Sequence, residues 1–101
     1  MPAKQSDNGY HGVIAAIGSE YRLGVSDGGG QWVIQRRVDL GSRDLWDTLY
    51  SCVSSVRVIR IIEGLEREMG QTFLSDPDLS KAIDALPLFI YDAGASNPTK
   101  A

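Results

Sequence analysis

The chain has one cysteine, Cys52, and one histidine, His11. A lone cysteine excludes an internal disulfide and fits a reducing compartment. With one thiol and one imidazole, a zinc site would have to draw carboxylates from unusual positions. A Cys–His nucleophilic pair needs the base within hydrogen-bond reach of the thiol, and His11 lies in the first expected strand, far along the chain from Cys52. Long apolar runs are missing too: none approaches the ~18 residues of a membrane span. The first nine residues carry no apolar stretch of the signal-peptide kind, so a cytoplasmic protein with no membrane partner is expected. Basic charge is scarce. Ten Lys and Arg stand against 13 Asp and Glu, a net of −3, which argues against charge-driven binding of DNA or anionic membranes. Asp76-Pro77-Asp78 lacks the rest of a calcium loop. No catalytic, metal or cofactor residues can be assigned, and enzyme is the class the sequence favours least.

What is present fits one domain of 101 residues. Residues 1–9 are polar and aperiodic and read as a disordered arm, and residues 92–101 as a loose tail. Between them, 10–91 reads as an α+β domain, an antiparallel sheet of three to four strands packed on one face by two helices. Tyr10 to Ile17 is a first strand, and Gly18-Ser19 a two-residue hairpin turn into Tyr21–Val25. Asp27-Gly28-Gly29-Gly30 is the next reversal. Pairing Val25 with Trp32 and Leu23 with Ile34 sets those four side chains on one face, and Arg22, Gly24, Val33, Gln35 and Arg37 on the other.

Asp39 to Arg43 reads as a turn or loop. Residues 44–53 suit a strand with Trp46, Thr48, Tyr50 and Cys52 on one side, or a helix capped by Ser42; the strand is preferred, because a helix unbroken to Met69 is long for so small a domain. Ser55 then caps a helix whose stripe is Val58, Ile61, Ile62, Leu65 and Met69, closed by Gly70. Asp76 caps a shorter helix with Pro77 in its first position, Leu79, Ala82, Ile83 and Leu86 on its apolar face, and Pro87 at its end.

Charge is unevenly spread. Arg36 to Arg60 holds five Arg and three Asp, whereas Glu66 to Asp92 holds six acids against Arg67 and Lys81. The candidate binding residues are Trp32, Gln35, Arg36, Arg37, Arg57 and Arg60. Forked arginine donors there suit phosphate or carboxylate, and an exposed Trp beside Arg suits an interface. Against this stands an ordinary solvated surface with Trp32 in the core. The glycine run is no phosphate loop, because Gly30 leads into Gln31-Trp32 and a strand rather than into Lys and a helix. Leu88-Phe89-Ile90-Tyr91 is a concentrated apolar patch, to be docked on the sheet or on a second copy as a homodimer.

The run Ser26-Asp27-Gly28-Gly29-Gly30-Gln31-Trp32-Val33-Ile34-Gln35-Arg36-Arg37 resembles a turn-strand motif of small bacterial and prophage proteins, Ser-x-Asp-Gly leading into Gln-Trp-Ile/Val-Ile/Leu-Gln-Arg-Arg. Ser55 to Glu66 and Asp84-Ala85-Leu86-Pro87 look like its later parts, while an extra turn glycine and a longer acidic segment from Asp39 to Asp47 depart from it. The resemblance implies this layout and a phage or mobile-element origin, and supplies no catalytic residues. The expected function is a non-enzymatic protein-binding module that occupies a host protein surface, inhibition of a host defence system in the anti-CRISPR manner being one form. The alternative is a small nucleic-acid-binding or regulatory module using the arginines.

Overall fold

The computed structural model describes residues 5–6, 9–39 and 44–91. Four strands, β1 (Val13–Ile17), β2 (Tyr21–Val25), β3 (Trp32–Asp39) and β4 (Asp44–Cys52), form one antiparallel sheet in the order β1-β2-β3-β4. Two helices follow, α1 (Ser55–Met69) and α2 (Pro77–Asp84). The fold is α+β, with residues 44–52 a strand. Of the segments read as turn or tail, residues 40–43 and 92–101, and with them Ser42, lie outside the described residues.

The central hairpin has the register that its alternation predicts. Val25 faces Trp32 and Leu23 faces Ile34, and Leu23, Trp32 and Ile34 are buried among Val58, Ile62, Leu65, Phe73, Leu79 and Ile83. The glycine turn is closed by the Ser26 N–H on the Gln31 carbonyl (2.8 Å) and the Gly29 N–H on the Ser26 carbonyl (2.8 Å). Gly29 takes the positive φ of 76° that this reversal needs. The first hairpin is one residue longer than expected. Ile17 pairs with Tyr21, so Gly18, Ser19 and Glu20 form the loop, and Gly18 turns it at φ 63°.

Both edge strands are bulged. In β1 the register slips between Val13 and Ala15, and in β4 between Tyr50, opposite Ile34, and Thr48, opposite Gln35. The residue left over in β4 is Leu49. One extra residue reverses the alternation. Trp46 and Thr48 therefore share a face with Gln35, and Tyr50 and Cys52 share the other with Ile34, where unbroken alternation would have put all four together.

Helix α1 begins at Ser55 itself, the expected cap, and is capped one residue earlier: the Ser54 hydroxyl accepts the Arg57 N–H at 3.2 Å. It ends at Gly70, whose N–H donates to the Glu66 carbonyl at φ 65°. Helix α2 has the expected cap, with the Asp76 carboxylate accepting the Asp78 N–H at 3.0 Å and Pro77 following. After α2 the chain returns to β4. Ser54 bridges Phe89, and the Ile90 N–H donates to the Val53 carbonyl at 2.7 Å.

Candidate functional site

The helices cover one face of the sheet, here called inner. The outer face, by register, carries Ala16 from β1, Arg22 and Gly24 from β2, Val33, Gln35 and Arg37 from β3, and Trp46 and Thr48 from β4. Alternation marks these positions as solvated. Several are not: Arg22 is 3% exposed, Gln35 1% and Val33 1%.

Part of what covers them is the chain before β1. Gln5 and Ser6, within the segment read from sequence as a disordered arm, lie on this face. The Gln5 carbonyl accepts from Arg22 Nη2 at 2.9 Å and from Gln35 Nε2 at 3.0 Å. The Gln5 side chain donates to Thr48 Oγ1 at 2.9 Å and accepts the Asp27 N–H at 2.7 Å. The Ser6 carbonyl accepts the Trp46 N–H at 2.8 Å. Residues 1–4 and 7–8 lie outside the described residues.

Arg22 is the centre of the cluster. Its Nε donates to Gln35 Oε1 at 2.6 Å, and its guanidinium lies 4.3 Å from the centre of the Trp46 ring, a cation–π distance. Burial pulls the guanidinium pKa down, yet an arginine keeps its charge in a protein. Gln35 also reaches Thr48 Oγ1 at 3.2 Å. Among the described residues no buried side-chain nitrogen or oxygen lacks a hydrogen-bond partner.

Beside the cluster a cavity of about 430 Å³ opens to solvent, lined in part by Tyr10, Val13, Ala16, Arg22 and Trp46. Tyr10 is 5% exposed and donates its hydroxyl to the Val25 carbonyl at 2.7 Å. Burial raises its pKa, the Asp27 charge adds to the rise and Arg22 opposes it.

The candidate residues read from sequence do not converge. Trp32 is 2% exposed and belongs to the core, so it presents no ring to a surface. Gln35 is buried against Arg22 and is no surface donor either. Arg36 and Arg37 are exposed, but as neighbours on a strand they point to opposite faces. Arg57 and Arg60 are exposed together on α1, one turn apart. Sequence reasoning missed Arg22, Trp46 and Gln5 as a group. The one signal was Arg22 and Gln35 opposite each other on a common face, which the register had already supplied.

The remaining singled-out residues are dispersed. Cys52 lies on β4 at one edge of the sheet and His11 in the turn leading to β1 at the other. Burial raises the Cys52 thiol pKa, against smaller lowering by Arg57 and the Ser54 backbone. Two of the acids between Glu66 and Asp92 have structural tasks: Asp76 caps α2, and the Glu66 carboxylate accepts the N–H groups of Phe73 (2.6 Å) and Leu74 (2.9 Å). Those two bonds hold the Glu66 carboxyl below its ordinary pKa. Among the described residues no group of three His, Cys, Asp or Glu is placed to hold a metal ion, and no helix is long and apolar enough to cross a membrane.

Comparison with protein-family models, with curated proteins and with solved structures gives no match.

Proposed function

We propose that the protein is a non-enzymatic, cytoplasmic binding module of phage or mobile-element origin, and that it acts by occupying a surface of a host protein. One observation supports this reading. Large apolar side chains are left in the open on two stretches joined by the Ser54–Phe89 bridge: Val53 (40% exposed) and Val56 (48%) on one, Leu88 (56%) and Tyr91 (61%) on the other. Leu49 (43%) and Tyr50 (42%) extend the exposure along β4. Grouped, rimmed apolar side chains mark protein-interaction sites. The origin, and with it inhibition of a host defence system as one form of the activity, rests on the resemblance of the Ser26–Arg37 stretch to prophage proteins.

The patch is also where two copies would meet. Of the four residues expected to form a homodimer, Leu88 and Tyr91 are exposed, Phe89 is half-buried with its ring tilted 55° to that of Tyr91 at 5.3 Å, and Ile90 is buried in the core. Nucleic-acid binding is the weaker reading, because Arg36 and Arg37 face apart and Gln35 is enclosed.

The test is retention of a partner from bacterial lysate by tagged protein after nuclease treatment. A single protein held by the wild type, lost with Val56→Ser/Leu88→Ser and kept with Arg57→Ala/Arg60→Ala, is expected. Loss on nuclease treatment, or loss with the arginine variant alone, would move the function to nucleic acid.

A further inference from the structure

Main-chain hydrogen bonds fix which way each residue of β4 turns its N–H and C=O. The Arg37 N–H donates to the Glu20 carbonyl at 2.7 Å, and the Ser26 N–H to the Gln31 carbonyl at 2.8 Å. Antiparallel pairing alternates, so Val33, Gln35 and Arg37 turn their groups toward β2. Their β4 partners, Ser51, Thr48 and Trp46, therefore turn theirs away from β3, out of the edge of the sheet. Two bonds on that edge agree. The Trp46 N–H donates to the Ser6 carbonyl at 2.8 Å, and the Val53 carbonyl accepts the Ile90 N–H at 2.7 Å.

Between these two attachments the edge is open. Asp47 to Ser51 are all exposed, and among the described residues no hydrogen bond reaches the outward main-chain groups of Thr48 and Ser51. An edge with unpaired groups is a template for another strand. A second copy of β4 does not fit it. That strand has nine residues, more than lie between Trp46 and Val53, so it would run into Ser6 or Ile90 in any register. The Leu49 bulge also breaks the regular repeat that long pairing needs. A short extended segment fits between the attachments. The one ionic side chain it would meet in the slot is Asp47, which among the described residues makes no ion pair, even with Arg36 opposite it on β3.

We propose that the open edge of β4 takes the partner by pairing with a short extended segment that carries a lysine or arginine. This rests on the reading of this side as a protein-binding surface, and adds how the contact is made. The segment exchanges main-chain hydrogen bonds with Thr48 and Ser51. Its base lies beside Asp47, and its apolar side chains lie on Leu49 and Tyr50, which are 43% and 42% exposed. Main-chain pairing supplies affinity, and the side chains select the segment.

The probe is the peptide Lys-Val-Thr-Val-Thr, blocked at both ends and added at millimolar concentration to the full chain, with backbone amide resonances as the readout. The Thr48 and Ser51 amides should shift saturably. The same peptide N-methylated at every residue should leave them in place, and glutamate instead of its lysine should weaken binding about threefold. Ser51→Pro removes an outward N–H without touching the bonds between β3 and β4, a change an edge strand tolerates. It should weaken binding about tenfold, or about 1.4 kcal/mol, followed at the Thr48 amide. Unmoved wild-type resonances, or shifts that the N-methylated peptide reproduces, overturn the proposal, as does equal binding of the lysine and glutamate peptides. Should Ser51→Pro fail to fold, the N-methylated peptide on wild type decides. A lysate protein retained without any peptide shift sinks the edge and spares the host-protein reading; a peptide shift with no lysate protein does the reverse.

Discussion

Arg22 has three kinds of contact at once: a hydrogen bond to the Gln35 side chain, another to the Gln5 backbone, and a face-on approach to Trp46. Each uses a different part of the planar guanidinium, and a lysine ammonium reproduces at most one of them. Arg22→Lys should therefore lower stability by about 2–3 kcal/mol through the buried acceptors it abandons. Equilibrium denaturation measures this, and a loss under 0.5 kcal/mol would refute it. Gly18 is held by geometry instead. At φ 63° any other residue is strained, and an added Cβ would lie 2.7 Å from Cε1 of the buried Phe73 ring. Gly18→Ala should cost about 2 kcal/mol, read as a fall in the denaturation midpoint with the slope unchanged. Gly18 is legible as a turn glycine but its approach to Phe73 is not, and Arg22 does not announce itself at all. Arg22 looks like a solvated strand position because what covers it comes from the polar start of the chain, and only the fold brings the two together.

At the scale of the element, legibility follows how local the determining contacts are. The Val25–Trp32 register was readable because a glycine turn and two alternating runs specify it within 17 residues. The α2 cap was readable because Asp76 and Pro77 act on their own turn. The β4 bulge was not, because Leu49 is extra only with respect to its partner strand. That bulge delivers Trp46 and Thr48 to Arg22 and Gln35 while keeping Cys52 with Trp32. Deleting Leu49 makes Thr48 and Tyr50 neighbours that alternate across the sheet, so Thr48 stays opposite Gln35, Tyr50 stays opposite Ile34 and both sets keep their faces. The deletion variant should stay within about 1 kcal/mol of wild type in equilibrium denaturation. A loss of several kcal/mol would show that the bend and added twist of the bulge are themselves needed. Ser54 offers a milder check on α1. Ser54→Ala removes the acceptor of the Arg57 N–H and should cost about 1 kcal/mol, with a shift too small to measure favouring Ser55 as the cap.

Over the whole molecule, the two sheet faces are closed by different chemistry, helices on the inner side and a polar segment with Tyr10 on the outer, and this shapes the response to pH. Glu66 ties the end of α1 to the approach to α2 through the Phe73 and Leu74 N–H groups, and these bonds depress its pKa in the folded chain. A depressed acid contributes stability that is present above its unfolded value of about 4.3 and lost as pH falls through the folded one. Tyr10 works in the opposite sense. Burial and Asp27 raise its pKa, so its contribution is complete below its unfolded value of about 10 and is lost as pH rises past it. Stability should form a plateau between these limits, with an acid limb due in part to Glu66 and an alkaline limb due in part to Tyr10. Glu66→Gln should flatten the acid limb alone. Tyr10→Phe should flatten the alkaline limb alone, while lowering the plateau by about 1 kcal/mol for the lost bond to the Val25 carbonyl. Urea denaturation of both variants from pH 3 to 11 separates the two. An acid limb unchanged by Glu66→Gln would mean that other carboxylates set it and that the α1–α2 junction holds without the charge.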